Sequence, residues 1–267
     1  MIGPDRNIQI MAILNLNQDS YFAPSRYNMS VLESGADIVD IGAVSTRPGA
    51  DSVPEQEEWS RLEPVLKLVD PSVRLSIDTT DSVIVRRAAD LLGRSFIVND
   101  ISAGEDDPSM LETVASLGLG YVAMHKRGTP ATMQTLCDYD DVVADVRQFF
   151  CRFAAIATSA GVEDWILDPG FGFAKTVEHN YELLRSLDTF SSLGHPVLVG
   201  ISRKSFIYKP LGIGPEEALT ATQALHLAAL ERGADILRVH DVEAARQTIR
   251  LYKELSGLDV PDGKVDL

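Results

Sequence analysis

Cysteine is almost absent. Cys137 and Cys151 are the only two in 267 residues. They have no C-x-x-C spacing and no histidine nearby at a metal-ligand interval, which argues against a disulfide framework, a thiol redox pair and a zinc site. Two inert thiols fit a reducing compartment. Long apolar runs are also missing, and none approaches the ~18 residues of a membrane-spanning helix. The opening MIGPDRNIQI has no basic stretch followed by an apolar one, so a secretory signal is not expected. Basic residues are scarce, with 24 Lys and Arg against 39 Asp and Glu and a net charge of −15. That balance argues against nucleic acid and anionic membrane as partners. It leaves room for an anionic small molecule at a local cluster of cations. The expected location is the cytoplasm.

What the chain does have is one period, repeated eight times. Short apolar runs occupy 8–15, 37–42, 74–79, 96–100, 121–125, 165–170, 196–202 and 235–240. Runs of this length, rich in Val, Ile, Leu and Ala, fit strands buried on both faces. Helical pattern fills most gaps. Pro54 and the acids Glu55, Glu57 and Glu58 open one helix, with Leu62, Val65, Leu66 and Val69 on one face. Asp81 or Ser82 caps the next, and Gly93 ends it. Others are expected over 107–117, 140–160, 176–187, 215–232 and 242–255. The first crossover is thin, with at most a short helix over 29–34. Strand, loop and helix repeated eight times fit a single (β/α)₈ barrel, and 267 residues match the ~250 typical of that fold. An open doubly wound sheet would show the same alternation; eight strands, with polar groups at both terminal ones, favour closure.

In such a barrel the C-terminal strand ends share one face, where chemistry takes place. Here those ends carry Asn15, Asp78, Asn99, His125, Asp168, Ser202, Arg238 and His240. Asp168-Pro169-Gly170-Phe171-Gly172-Phe173 sets a carboxylate before a tight turn. A carboxylate in a deep pocket can accept two N–H groups from a heterocycle edge. Ser202-Arg203-Lys204-Ser205 places two cations just past strand seven, where barrels often bind phosphate; a desolvated Lys204 could instead form a Schiff base, as in aldolases. Period-two alternation puts Arg238 and His240 on one side of strand eight, able to hold a phosphate between them. Asn99 offers a donor and an acceptor, and Asn15 an oxygen for Mg²⁺. Loops with one Arg each, Ser45-Thr46-Arg47-Pro48-Gly49 and Arg127-Gly128-Thr129-Pro130, suit substrate contact. Each residue alone could be a cap, a turn or a solvated loop. Their arrival together on one rim is the signal.

Taken in order, these motifs, with Asp19-Ser20-Tyr21, Ser76-Ile77-Asp78-Thr79, Asn99-Asp100-Ile101-Ser102 and Met124-His125-Lys126-Arg127-Gly128-Thr129-Pro130, resemble the dihydropteroate synthase family over about residues 8–256. The resemblance implies a pterin-binding transferase of folate biosynthesis, a target of sulfonamides, with Mg²⁺ as cofactor and a homodimeric assembly. It would join 6-hydroxymethyl-7,8-dihydropterin pyrophosphate and p-aminobenzoate. It assigns the pterin to Asp78, Asn99, Met124, Asp168, Lys204 and Arg238. Pyrophosphate falls to Asn15, Arg238 and His240, the metal to Asn15, and p-aminobenzoate to Thr46, Arg47, Phe173 and Ser202. Asp78, Lys204 and Arg238 would serve the chemistry. The chain departs from the family pattern at Leu16-Asn17-Gln18, at Tyr21, at Ala43-Val44, where a Gly-Glu pair is usual, and at Ala174. The alternatives are another pterin-binding barrel, such as a methyltetrahydrofolate methyltransferase, a non-catalytic pterin-binding paralogue, and the aldolase.

Overall fold

The computed structural model of the chain describes residues 6–16, 28–44, 53–129 and 131–258. Eight parallel strands run in the order β6-β5-β4-β3-β2-β1-β8-β7. They are β1 Gln9–Asn15, β2 Ile38–Gly42, β3 Leu75–Asp78, β4 Ile97–Asp100, β5 Gly120–Met124, β6 Trp165–Asp168, β7 Leu198–Val199 and β8 Ile236–Val239. The two sheet edges meet through a parallel bridge between Leu167 and Val197, where Leu167 N donates to Pro196 O at 3.0 Å. Proline has no N–H to return, so this seam is narrow and β7 is short. The expected barrel is the observed one.

Helices connect the strands because the local sequence starts and stops them. The main ones are α1 Glu55–Leu66, α2 Ser82–Leu92, α3 Met110–Leu117, α4 Val142–Ala160, α5 Val177–Arg185, α6 Asp188–Ser191, α7 Ser205–Tyr208, α8 Leu219–Glu231 and α9 Val242–Ser256. Asp81 is the cap of α2, accepting from Val83 N at 2.8 Å, and Gly93 ends that helix at φ 59°. Asp141 caps α4, and Thr176 with His179 forms a capping box on α5. Two expected spans are broken. The 215–232 stretch is a 3₁₀ turn, Pro215–Glu217, followed by α8. The 176–187 stretch ends at Arg185, and α6 follows it. The thin first crossover has only the 3₁₀ turn Met29–Glu33 among the described residues.

Parity along the strands decides what lies inside. Met11, Ile38, Ile97, Val122, Ile166, Leu198 and Ile236 form an apolar plug of their own. Two residues further along, on the same side, the next layer gains polar side chains, with Asp40, Asn99, Asp168 and Arg238 beside Ile13 and Met124. The register pairs Ile13 with Asp40, Asp78 with Asn99, and Met124 with Asp168. Outward side chains pack on the helices in a separate, larger core. The barrel is therefore dry below and polar above, so a ligand entering from the C-terminal end stops at the polar layer.

Candidate functional site

Asp168 ends β6 and is buried. Its Oδ1 accepts from Gly170 N at 2.8 Å, leaving Oδ2 for a ligand. Burial raises its pKa, and the Lys204 ammonium opposes that rise. The turn after it has one permitted shape. Gly170 sits at φ 71°, and a Cβ there would lie 1.9 Å from His125 O. Gly170→Ala is expected to lose about 1–2 kcal/mol from the left-handed backbone before the collision is counted. A lower melting temperature together with lost pterin affinity is the expected result; unchanged values would mean the turn is not built as described.

Lys175, which sequence reasoning passed over, pins this turn from below. Its Nζ donates to Gly170 O and Phe173 O, each at 2.9 Å, and contacts His125 Nδ1 at 3.0 Å. Burial lowers its pKa to about 7. His125 is a correction. It follows β5 directly but has outward parity, and its ring meets the Phe149 ring edge to face, centroids 5.1 Å apart, behind the barrel wall. Burial, then the Lys175 charge, depress its pKa to about 2.

Only one of the two cations after β7 faces the mouth. Arg203 turns away at φ 54° and forms a fork with Asp241 at 2.8 and 2.9 Å, with further bonds to Pro215 O and Glu216 O. It stitches the connection between β7 and α8. Lys204 donates its Nζ to Phe171 O and stands 4.7 Å from the centre of the Phe173 ring. Burial brings its pKa down to about 8, against the pull of Asp168. Ser202 and His240 are neighbours, with Oγ and Nδ1 3.1 Å apart. Burial, then the Arg238 charge, drop the His240 pKa to about 3, so its ring offers an anion a neutral hydrogen bond.

Arg238 stands between two carboxylates, with Nη2 2.7 Å from Asp40 and 2.9 Å from Asp78. Asp40 is fully buried and also accepts from Asn99 Nδ2 at 3.0 Å. It too escaped sequence reasoning, which looked only at strand ends. Asp78 has a raised pKa because of burial, which Arg238 counters. Met124 and Asn99 are buried beside this group, and Asn15 is half-buried at the end of β1, opposite Gly42. Asp78, Asn99, Met124, Asp168, Ser202, Lys204, Arg238 and His240 thus share one mouth, with Asn15 and Phe173 at its edge. Thr46 and Arg47, with Asn17, Gln18 and the Asp19-Ser20-Tyr21 motif, lie outside the described residues.

Glu58, on α1, is buried and hydrogen-bonds with Thr79, the residue after Asp78; burial raises its pKa to about 7. The folded pKa is above the usual 4.5, so the stability this group contributes is present below pH 4.5 and is lost as pH rises through about 7. Glu58→Gln removes that loss. Urea unfolding at pH 8 should show it more stable than the parent by on the order of 2 kcal/mol, with little difference at pH 4. A variant no more stable at pH 8 contradicts the buried-acid reading.

The site combines acceptors for a ring with N–H groups and cations for an anion, on one barrel face. Such a set suits a barrel enzyme acting on a polar heterocycle that carries an anionic group. Comparison with known proteins makes the class specific. The family model described as "Pterin binding enzyme" matches residues 11–240. Dihydropteroate synthase of Synechocystis is 42% identical over 260 residues, 92% of this chain and 89% of that protein. The Escherichia coli dihydropteroate synthase is 38% identical, covering 91% and 90%. Among solved structures, Yersinia pestis dihydropteroate synthase with a sulfonamide drug complex superposes with a TM-score of 0.88 at 35% identity, covering 94% and 95%. The Thermus thermophilus enzyme in complex with 4-aminobenzoate gives 0.84 at 41%, covering 95% and 96%. The chain belongs to the dihydropteroate synthase family of pterin-binding enzymes.

Proposed function

We propose that this chain is a folate-biosynthetic transferase that joins 6-hydroxymethyl-7,8-dihydropterin pyrophosphate to p-aminobenzoate, releasing pyrophosphate and giving 7,8-dihydropteroate. The observation that carries the reading is the single mouth in which Asp168 and Asn99 stand beside Arg238 and His240. Relatives crystallised with 4-aminobenzoic acid support the second substrate. The pterin ring sits on Asp168, Asn99 and Met124, with Lys204 donating to its carbonyl side. Arg238 covers the ring and reaches the pyrophosphate, which His240 and Asn15 also hold. Thr46, Arg47, Phe173 and Ser202 receive p-aminobenzoate.

The chemistry needs no side-chain nucleophile. The bond from the exocyclic carbon to the pyrophosphate oxygen breaks, and the electron pair leaves with pyrophosphate. Arg238 steadies the charge that develops there. The carbon, attached to an electron-rich ring, carries positive charge that the Asp78 carboxylate faces. The aniline nitrogen then bonds to that carbon and releases a proton. This suits a site whose lysine, Lys204, is engaged with Phe171 O and the ring pocket rather than set apart as an amine. Mg²⁺ fits the donor set. The side-chain carbonyl of Asn15, at the end of β1, is a hard oxygen ligand of the kind Mg²⁺ takes. With one such ligand from the chain, the substrate phosphates would supply most of the others. When bound, the ion offsets charge on the leaving group.

The same reading covers the assembly: one barrel domain, working in the cytoplasm as a homodimer. No described helix is long and apolar enough to cross a membrane. The test is a coupled assay for pyrophosphate release with dihydropterin pyrophosphate and Mg²⁺. Release should require p-aminobenzoate. Pterin binding without release favours the non-catalytic reading.

A further inference from the structure

Asp40 cannot touch a substrate. It lies mid-strand in β2, and none of its surface is exposed. Its Oδ2 nevertheless accepts from Arg238 Nε at 2.7 Å and from Asn99 Nδ2 at 3.0 Å, and lies 2.7 Å from Arg238 Nη2 in an ion pair. A carboxylate only accepts, so this arrangement fixes two things at once. It holds the inner edge of the guanidinium, and Nη1 makes no hydrogen bond among the described residues. It also sets which end of the Asn99 carboxamide points into the barrel floor. An amide with no such neighbour could turn over.

We infer that Asp40 is a positioning residue for the reaction, tying the cation that meets the leaving group to the amide that meets the ring. The inference rests on the function proposed above. It makes the anion end and the ring end of the mouth parts of one hydrogen-bonded unit. A buried acid serving only as a counter-charge to Arg238 would have a different signature, and the two differ in sign. Removing a negative charge near an anion site strengthens anion binding by Coulomb's law. Removing the clamp that aims Arg238 weakens it.

The test is calorimetric titration of pyrophosphate, in Mg²⁺ buffer, into the parent, Asp40→Asn, Arg238→Ala and the double variant. Asp40→Asn keeps size and shape. Its pyrophosphate affinity is expected to fall about tenfold or more, the scale of one misaligned charge-assisted bond. In the Arg238→Ala background the same change should alter affinity by less than about twofold, because the term it acts through is gone. Steady-state assays should show a raised KM for the pterin substrate and a lowered kcat, with KM for p-aminobenzoate little changed. Unchanged or tighter pyrophosphate binding by Asp40→Asn overturns the inference, as does an equal loss with Arg238 absent. Should Asp40→Asn not fold, Arg238→Lys decides. It keeps the charge and loses the Nε anchor, so a pyrophosphate affinity equal to the parent's overturns the inference, and a tenfold loss upholds it. A parent that binds no pyrophosphate overturns this inference and the function together; a parent that binds it, with Asp40→Asn unaffected, overturns this inference alone.

Discussion

Asp168→Asn is expected to lose most pterin binding while leaving the fold intact. The reason lies in the turn. Asp168 Oδ1 already accepts from Gly170 N at 2.8 Å, and an amide nitrogen cannot accept there. The asparagine must therefore keep its oxygen toward Gly170 and aim its NH₂ into the pocket. A ligand N–H then meets a donor instead of an acceptor. Mispairing a buried group costs about 1–3 kcal/mol, and more where a charge was involved, so affinity should fall roughly a hundredfold. Titration with 6-hydroxymethylpterin measures the loss, and thermal unfolding checks the fold. An unchanged affinity would reduce Asp168 to a turn residue and move the ring elsewhere.

Arg238→Ala should have the other large effect, on stability and function together. The substitution leaves Asp40 and Asp78 facing each other with no cation between them, both buried. Breaking a buried ion pair from one side costs about 3–5 kcal/mol. The loss should grow as pH rises. The pKa of Asp78 is already raised by burial and held back by Arg238; without the arginine it rises further. The folded protein then binds a proton that the unfolded chain gives up above the usual carboxylate range, and the stability tied to that proton disappears as pH climbs through the raised value. Denaturant titrations at two pH values check the sign. In binding, dihydropterin pyrophosphate should weaken more than a pterin without phosphates, by roughly a hundredfold against a few-fold, because a charge-assisted contact is lost only with the former. Equal weakening would leave Arg238 a stacking role and no anion role.

Much of this was legible in the sequence because strand and site signals coincide. An apolar run followed by one polar residue marks both where a strand stops and what it presents to the mouth, and Asn15, Asp78, Asn99, Asp168 and Arg238 were found in that way. The same rule misplaced His125. It directly follows β5, but counting two residues at a time from Val122 and Met124 puts it on the outer face, against Phe149. Asp40 sits between apolar neighbours in the middle of β2, so only the neighbouring strands' register reveals that it shares a layer with Asn99 and Arg238. Lys175 follows the aromatic turn in a loop, and its bond to His125 spans 50 residues, a contact that no local pattern encodes. Arg203 and Lys204 are adjacent and chemically alike. The positive φ of Arg203 sends one to Asp241 and leaves the other in the pocket.

The central claim is that ring and anion of one substrate lie in one mouth, the ring on Asp168 and Asn99, the anion on Arg238 and His240. The most direct measurement is a crystal structure of the chain with a non-reactive analogue of dihydropterin pyrophosphate and Mg²⁺. The account predicts ring N–H groups within hydrogen-bond distance of Asp168 Oδ2 and phosphate oxygens on Arg238 Nη1. A ring seated away from Asp168, or phosphates on another face of the barrel, would contradict it.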